Sequence, residues 1–138
     1  MPNVVLVDTG PLVALLDRSD RHHAACRKTF ESLTEPIRTV WPVISEAFFL
    51  LDRVSPLAFQ DLLQEISAGS IELLGLDRAD VPRMQELMLK YADLPMDLAD
   101  AAIVSAAERE NIETIFTIDR GDFSLYRPRH VKQFKLLP

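Results

Sequence analysis

Short apolar runs alternate along the chain with longer segments in which apolar positions recur at helical spacing. The short runs predict buried strands, and the longer segments predict helices. The predicted strands cover residues 4–7, 37–40, 71–76 and 114–118, with a last edge strand at 131–137. The predicted helices cover residues 11–17, 21–33, 43–53, 56–68, 78–91 and 98–110. Residues 92–96 and 120–130 are predicted to be loops, because they carry Pro95, Gly121 and Pro128.

Alternation of strands with helices predicts the fold class. It favours an α/β/α sandwich, in which a central, mainly parallel sheet is covered by helices on both faces. The chain has no internal repeat, low-complexity tract or linker, so residues 1–138 are expected to form a single domain. In the third helix, apolar residues such as Ile44, Phe48 and Leu50 are spread around the whole circumference, which predicts a buried helix.

Composition narrows the class of protein. The chain has 138 residues, 48% of them hydrophobic, which excludes a disordered chain, and no apolar run is long enough to span a bilayer. The N-terminus does not resemble a signal peptide, and the single cysteine, Cys26, fits a cytoplasmic protein. A formal net charge of −6 argues against bulk electrostatic binding to nucleic acid, although a local basic patch could still contact phosphates.

Four carboxylates occupy positions that do not suit an ordinary solvated acid. Asp8 and Asp119 each follow an apolar strand directly, and the carboxyl ends of parallel strands meet at one edge of the sheet. Glu46 lies within the apolar third helix, where an unpaired charge is costly to bury. Asp100 lies in the first turn of an alanine-rich helix, three residues after Asp97. We therefore expect several carboxylates to converge near Asp8, with Asp97 as a further candidate and Asp122 as a peripheral one.

Converging carboxylates repel one another unless protons or cations neutralise them. An all-oxygen set without histidine or cysteine ligands favours Mg²⁺ or Mn²⁺ over zinc. The chemistry that such a site serves best is hydrolysis of phosphodiester bonds. Each acid also has a purely structural alternative: Asp8 and Asp97 could cap helices, Asp100 could favour the helix dipole, and Asp119 could form an Asx-turn.

Four blocks of sequence carry a resemblance to a known family. They are Val-Asp8-Thr-Gly-Pro-Leu-Val-Ala-Leu-Leu-Asp17, Ser45-Glu46-Ala47, Leu94-Pro-Met-Asp97-Leu-Ala-Asp100-Ala-Ala-Ile-Val, and Phe116-Thr-Ile-Asp119-Arg-Gly-Asp122-Phe. In this order and spacing they resemble the PIN-domain ribonucleases. The small size and the Leu-Ala-Asp-Ala form resemble the toxins of VapBC-type toxin–antitoxin pairs.

The resemblance implies a Mg²⁺- or Mn²⁺-dependent endoribonuclease that cleaves RNA. It assigns metal-site roles to Asp8, Glu46, Asp100 and Asp119, with Asp97 as a second-tier ligand. It suggests that Thr9 and Thr117 hydrogen-bond a carboxylate, water or phosphate. It also implies a homodimer, and inhibition by an antitoxin protein that inserts a basic side chain into the acidic pocket.

Two alternatives remain at this stage. A non-catalytic PIN-like module that binds RNA or protein would tolerate the loss of one of the four acids, and none is missing. An aspartate-based phosphotransferase fits less well, because a dehalogenase-like phosphatase would have a second aspartate where Gly10 stands. For RNA contacts, the favoured basic group is Arg120, Arg127, Arg129, His130 and Lys132, and Trp41 is expected to lie in the core or in a dimer contact.

Overall fold

A computed structural model describes residues 3–138 of the chain. The strands are β1 (Val5–Val7), β2 (Ile37–Val40), β3 (Glu72–Leu74), β4 (Thr114–Phe116) and β5 (Lys135–Leu137). The helices are α1 (Thr9–Leu16), α2 (His23–Ser32), α3 (Trp41–Asp52), α4 (Pro56–Ser67), α5 (Val81–Lys90), α6 (Leu98–Glu110) and α7 (Arg120–Leu125), and a 3₁₀ turn (Arg78–Asp80) precedes α5.

The five strands form one sheet in the order β3-β2-β1-β4-β5, and every neighbouring pair is parallel. The predicted α/β/α sandwich is therefore confirmed, with a sheet that is parallel throughout. β1 lies at the centre, as its uninterrupted apolar run predicts, and all three of its residues are buried. The chain first builds the sheet on one side of β1 and then crosses to the other side, so a crevice forms between the ends of β1 and β4.

Helices cover the sheet in two groups. α1 packs against α2, α3 and α4, whereas α6 packs against α5 and α3. α6 is buried along most of its length, because its alanines allow close approach to its neighbours. α3 contacts both α1 and α6 and follows β2 directly, so its inner face borders the crevice.

Three predictions about local structure are wrong. Residues 120–130 are not entirely loop, because Asp119 accepts a hydrogen bond from the backbone N–H of Asp122 and begins the short helix α7. The last strand covers only Lys135–Leu137, although it does lie at the sheet edge as expected. The fifth helix is divided, because a reciprocal capping box between Asp77 and Asp80 forms the 3₁₀ turn before α5 begins.

The prediction that α3 is a buried helix is also wrong. Ile44 and Ala47 are buried, but Phe49 is 66% exposed, and Phe48 and Leu50 also lie on the surface. Apolar residues around the whole circumference show that a helix can be buried on all sides. They do not show that other segments of the same chain pack against every side.

Candidate active site

Asp8 lies at the carboxyl end of the central strand. Its backbone N–H donates to the carbonyl oxygen of Phe116 at 2.9 Å, so the pairing of β1 with β4 continues up to the acid. Its side chain is only 7% exposed, because α1 begins at the next residue. The α1 N-terminus can approach β4 closely only because residue 10 is glycine. A Cβ at that position would collide with the side chain of Ile118.

Thr117 connects the ends of β1 and β4. Its buried hydroxyl donates to Oδ2 of Asp8 at 2.9 Å and accepts from the backbone N–H of Asp119, also at 2.9 Å. The Thr117 side chain therefore holds both Oδ2 of Asp8 and the backbone at Asp119 in place. This confirms that Thr117 hydrogen-bonds a carboxylate, as expected from the sequence.

Asp97, Asp100 and Glu46 reach the site from two helices, α6 and α3. Asp97 caps α6, where its Oδ1 accepts from the backbone N–H of Asp100 at 2.9 Å. Asp100 is consequently held in the first turn, with its side chain only 8% exposed. Glu46 is half-buried on α3, and the negative charges of Asp97 and Asp8 act on it.

The acids on α6 and after β4 also converge. Asp100, Asp119 and Asp122 each offer one oxygen, and these oxygens all lie within 4.8 Å of one another. Asp119 is the exposed member of the three and Asp122 is half-buried, so the group opens to solvent. Asp122, a peripheral candidate in the sequence, thus lies beside two of the predicted site residues.

Burial and mutual repulsion raise the pKa values of the two innermost acids. Burial raises the pKa of Asp8 to about 6, with a smaller contribution from the charges of Asp97 and Asp119. Burial likewise raises the pKa of Asp100 to about 8, and the charges of Asp8, Asp97 and Asp119 add to the effect. The pKa of Glu46 is also raised, first by burial and then by neighbouring charge. The site as folded is therefore short of positive charge.

Tyr126 is a site residue that the sequence prediction missed. Its side chain is fully buried, and its hydroxyl donates to Oδ2 of Asp100 at 2.7 Å. Edge-on packing against Phe123 and tilted packing against Tyr91 fix the ring, with centroid distances of 5.1 and 5.0 Å. Tyr126 lies 26 residues after Asp100, in a segment predicted to be loop, so no local pattern could connect the two residues.

The residues present fit a divalent cation with oxygen ligands. The donor set consists of carboxylates, and the raised pKa values show how strongly positive charge would stabilise the ionised forms. The hydroxyl oxygen of Thr9 is buried and forms no hydrogen bond of ordinary geometry within residues 3–138. It lies close enough to the Glu46 carboxyl group to lower the pKa of Glu46, so this hydroxyl borders the carboxylates that would hold a cation.

The predicted basic group does not form one surface beside these acids. Arg129 pairs with Glu86 at 3.1 Å, and its backbone N–H donates to Glu108 near the far end of α6. His130 contacts the carbonyl oxygen of Ile112 at 2.7 Å, also beyond that end. Arg120 directly follows Asp119 in the chain, and its guanidinium donates to the carbonyl oxygen of Pro138 at 2.6 Å. The guanidinium of Arg127 donates to the carbonyl oxygens of Ser124 and Tyr126. This prediction is therefore wrong for Arg129 and His130, because α6 separates them from the site by its full length.

A parallel sheet with a topological switch point, and acids from β1, α3, α6 and the end of β4 gathered there, define the class of protein. Residues 5–127 match the PIN domain family, and the chain belongs to that family. Within it, the chain is 31% identical over 135 residues to Ribonuclease VapC26 of Mycobacterium tuberculosis, an alignment that covers 97% of this chain and 100% of that one.

Solved structures with the same fold include two toxin–antitoxin proteins. VapC20 of Mycobacterium tuberculosis, described as a sarcin–ricin loop cleaving toxin, superposes with a TM-score of 0.82 at 19% identity, covering 93% of this chain and 98% of that one. A chain of a toxin–antitoxin complex from Klebsiella pneumoniae superposes with a TM-score of 0.67 at 19% identity, covering 88% and 91%. At these identities the structural matches establish the shared fold. No helix in the described part of the chain is long and apolar enough to cross a membrane.

Proposed function

We propose that this chain is an endoribonuclease that depends on Mg²⁺ or Mn²⁺ and acts as the toxin of a type II toxin–antitoxin pair. The observation that carries the proposal is the convergence of Asp8, Glu46, Asp100 and Asp119 at the switch point of the sheet. The relation to Ribonuclease VapC26 over nearly the whole chain supports RNA as the substrate.

In this proposal the four acids hold the cation, and Asp97 acts as a second-tier ligand that also caps α6. When bound, a divalent cation supplies Lewis acidity for water and for the oxygens of a phosphodiester. Thr117 keeps Asp8 aligned, since its hydroxyl donates to one oxygen and leaves the other free of that bond. Tyr126 does the same for Asp100. Asp122 lies close enough to Asp100 and Asp119 to extend the ligand set.

The rate test compares cleavage of RNA in Mg²⁺, Mn²⁺ and EDTA by wild-type protein and by Asp100→Asn. A sarcin–ricin loop hairpin is a suitable first substrate, because VapC20 is described as cleaving that loop. We expect cleavage that requires metal and disappears in Asp100→Asn. The matched control is Asp61→Asn, which removes an exposed acid on α4 and should cleave at the wild-type rate.

A second readout separates an inactive enzyme from a binding module. Mn²⁺ should raise the melting temperature of wild-type protein and of Asp61→Asn, and should have little effect on Asp100→Asn. Retention of full cleavage by Asp100→Asn would refute the assignment. Metal-independent RNA binding, without metal stabilisation or cleavage of any RNA, would favour a non-catalytic module instead.

The proposal includes protein partners and a cytoplasmic location. We propose that the chain forms a homodimer. We also propose a small antitoxin that places a basic side chain among the acids, because the net charge of −6 and the negative charge of the site both favour a basic partner. Exposed apolar side chains on α3 and α4, such as Phe49 and Leu57, supply surface for protein contacts. Light scattering of the purified chain tests the dimer. Co-expression with the neighbouring reading frame tests the antitoxin, which should copurify and suppress cleavage.

A further inference from the structure

Trp41 is the only tryptophan of the chain, and it lies on the surface rather than in the core. It is the first residue of α3, directly after β2, and its side chain is 56% exposed. Pro42 follows it in the first turn of the helix and restricts the backbone there. The indole of Trp41 is an apolar surface that residues 3–138 leave largely uncovered.

The groove beside Trp41 leads to the acidic site. It has a volume of about 400 Å³ and is lined by Trp41 and Leu98, together with Ser45, Glu46 and Asp97. Leu98 is 53% exposed, so the groove presents two uncovered apolar side chains. Glu46 and Asp97 belong to the set of acids described above, so the groove is continuous with the candidate metal site.

This combination of surfaces matches a nucleobase. A base has two flat faces that stack on aromatic side chains, and its edge carries amino groups that pair with oxygen acceptors. The groove offers the indole for stacking and the oxygens of Ser45 and Asp97 for the edge. Since base and phosphate belong to the same nucleotide, a base in this groove would have its phosphate near the acids.

A second copy of the chain is the competing occupant. Phe49 and Leu50 on the same helix are exposed and are better suited to an apolar contact between proteins. The groove at Trp41 contains the carboxylates of Glu46 and Asp97, and covering them with an apolar partner surface would be costly. A nucleotide lowers that cost, because the amino groups of its base can pair with these oxygen acceptors.

On the basis of the function proposed above, we propose that Trp41 stacks on an unpaired nucleobase next to the scissile phosphate. Leu98 contacts the same nucleotide from the other part of the groove. Trp41 thus helps to select single-stranded positions of the RNA, while the acids act on the phosphate.

The experiment uses the fluorescence of this single tryptophan and the kinetics of cleavage. The probe for fluorescence is the pair of product fragments of a cleaved RNA hairpin, in Mg²⁺, because these carry the bases without a scissile bond. We expect quenching as the fragments bind. Trp41→Ala should raise KM for the intact hairpin by about 10-fold, whereas Trp41→Phe should recover most of the affinity.

Three controls confine the effect to stacking. Leu89→Ala removes an apolar side chain on α5 at a residue that is 77% exposed, and it should leave KM unchanged. An abasic substitution next to the cleavage position should weaken wild-type binding, and should weaken Trp41→Ala much less, because the two changes remove the same contact. The affinity of Trp41→Ala for Mn²⁺, measured without RNA, should equal that of the wild type.

The outcomes separate this inference from the proposed function. If wild-type protein cleaves no RNA, the proposed function fails and this inference fails with it. If wild-type protein cleaves RNA while Trp41→Ala keeps its KM and the fragments leave the fluorescence unchanged, only the stacking role is overturned. Fluorescence that changes on dilution without RNA, together with loss of a dimer in Trp41→Ala, would assign the groove to a second copy and would also overturn it.

Discussion

Tyr126 donates a hydrogen bond from its hydroxyl to Oδ2 of Asp100 at 2.7 Å, and both side chains are buried. This hydrogen bond occupies Oδ2 of Asp100, so the other carboxylate oxygen remains available to the group formed by Asp100, Asp119 and Asp122. It also opposes the rise in the pKa of Asp100, which is due first to burial. Tyr126 is therefore a positioning residue for the candidate site.

Tyr126→Phe should weaken Mn²⁺ binding and cleavage together. Loss of such a supporting hydrogen bond typically costs about 10- to 100-fold in metal affinity or activity. The phenylalanine keeps the packing against Phe123 and Tyr91, so the far-UV spectrum should be unchanged. Titration calorimetry with Mn²⁺ measures the affinity without RNA.

Tyr91→Phe is the matched control for this change. The Tyr91 hydroxyl accepts a hydrogen bond from the backbone N–H of Arg127 at 2.8 Å, and the Tyr91 ring packs against the ring of Tyr126. This variant should lose stability without losing Mn²⁺ affinity. Equal metal affinities in all three proteins would contradict a positioning role for Tyr126.

Thr117→Val should impair the site more than the fold. Valine has nearly the shape of threonine, but it removes the bond to Asp8 and leaves the backbone N–H of Asp119 without its partner. We expect a loss of about 1–3 kcal/mol in unfolding free energy and at least a tenfold loss of cleavage.

Thr39→Val distinguishes these two effects. The Thr39 hydroxyl is equally buried and donates to the carbonyl oxygen of Val7 at 2.8 Å, without touching an acid. Urea unfolding should show a similar loss of stability in both variants, while only Thr117→Val loses cleavage. A parallel loss of cleavage in Thr39→Val would point to a general effect of destabilisation.

Metal-free protein should become less stable as the pH rises. The pKa of Asp8 is about 6 and that of Asp100 about 8 in the folded chain, against an ordinary value of 3.8. From pH 3.8 up to about pH 6 for Asp8 and about pH 8 for Asp100, the folded state binds more protons than the unfolded state. The unfolding free energy therefore falls as the pH rises through this range. One pKa unit corresponds to about 1.4 kcal/mol, so the fall between about pH 5 and about pH 8 should be on the order of a few kcal/mol.

Urea unfolding in EDTA at several pH values measures this dependence. Asp100→Asn should have a flatter profile, because its amide does not titrate and carries no charge at high pH. Mg²⁺ should stabilise the wild-type protein more at about pH 8 than at about pH 5, since ionised carboxylates bind the cation. Identical pH profiles for the two proteins would show that Asp100 is not the group responsible.

Gly10→Ala should disturb the site through packing. The added methyl group collides with Cγ1 and Cδ1 of Ile118, so either that side chain changes its rotamer or the start of α1 moves away from the segment after β4. We expect a loss of about 1–3 kcal/mol in unfolding free energy and a marked loss of cleavage, because Asp8 and Asp119 flank the contact. Gly75→Ala should keep both stability and cleavage, because among residues 3–138, its two chain neighbours aside, no heavy atom lies within 4 Å of the new Cβ.

Hydropathy along the chain was enough to predict the parallel α/β architecture and the position of Asp8 directly after β1. For Asp119 the prediction was less exact, because β4 ends at Phe116 and two residues separate it from this acid. These features are local, because an unbroken apolar run followed by an acid and a turn has few structural solutions. Whether all four acids act in catalysis stays a prediction, although the fold brings them close together.

Which neighbours cover each surface depends on tertiary packing, and the sequence pattern did not predict it. Apolar residues around α3 gave no sign that Phe49 would stay exposed, because hydropathy reports a tendency to be buried and not the presence of a partner. The sequence likewise could not pair Tyr126 with Asp100 or separate Arg129 from Asp119. Those relationships depend on how α6 and the following loop pack, and packing is set by distant side chains together.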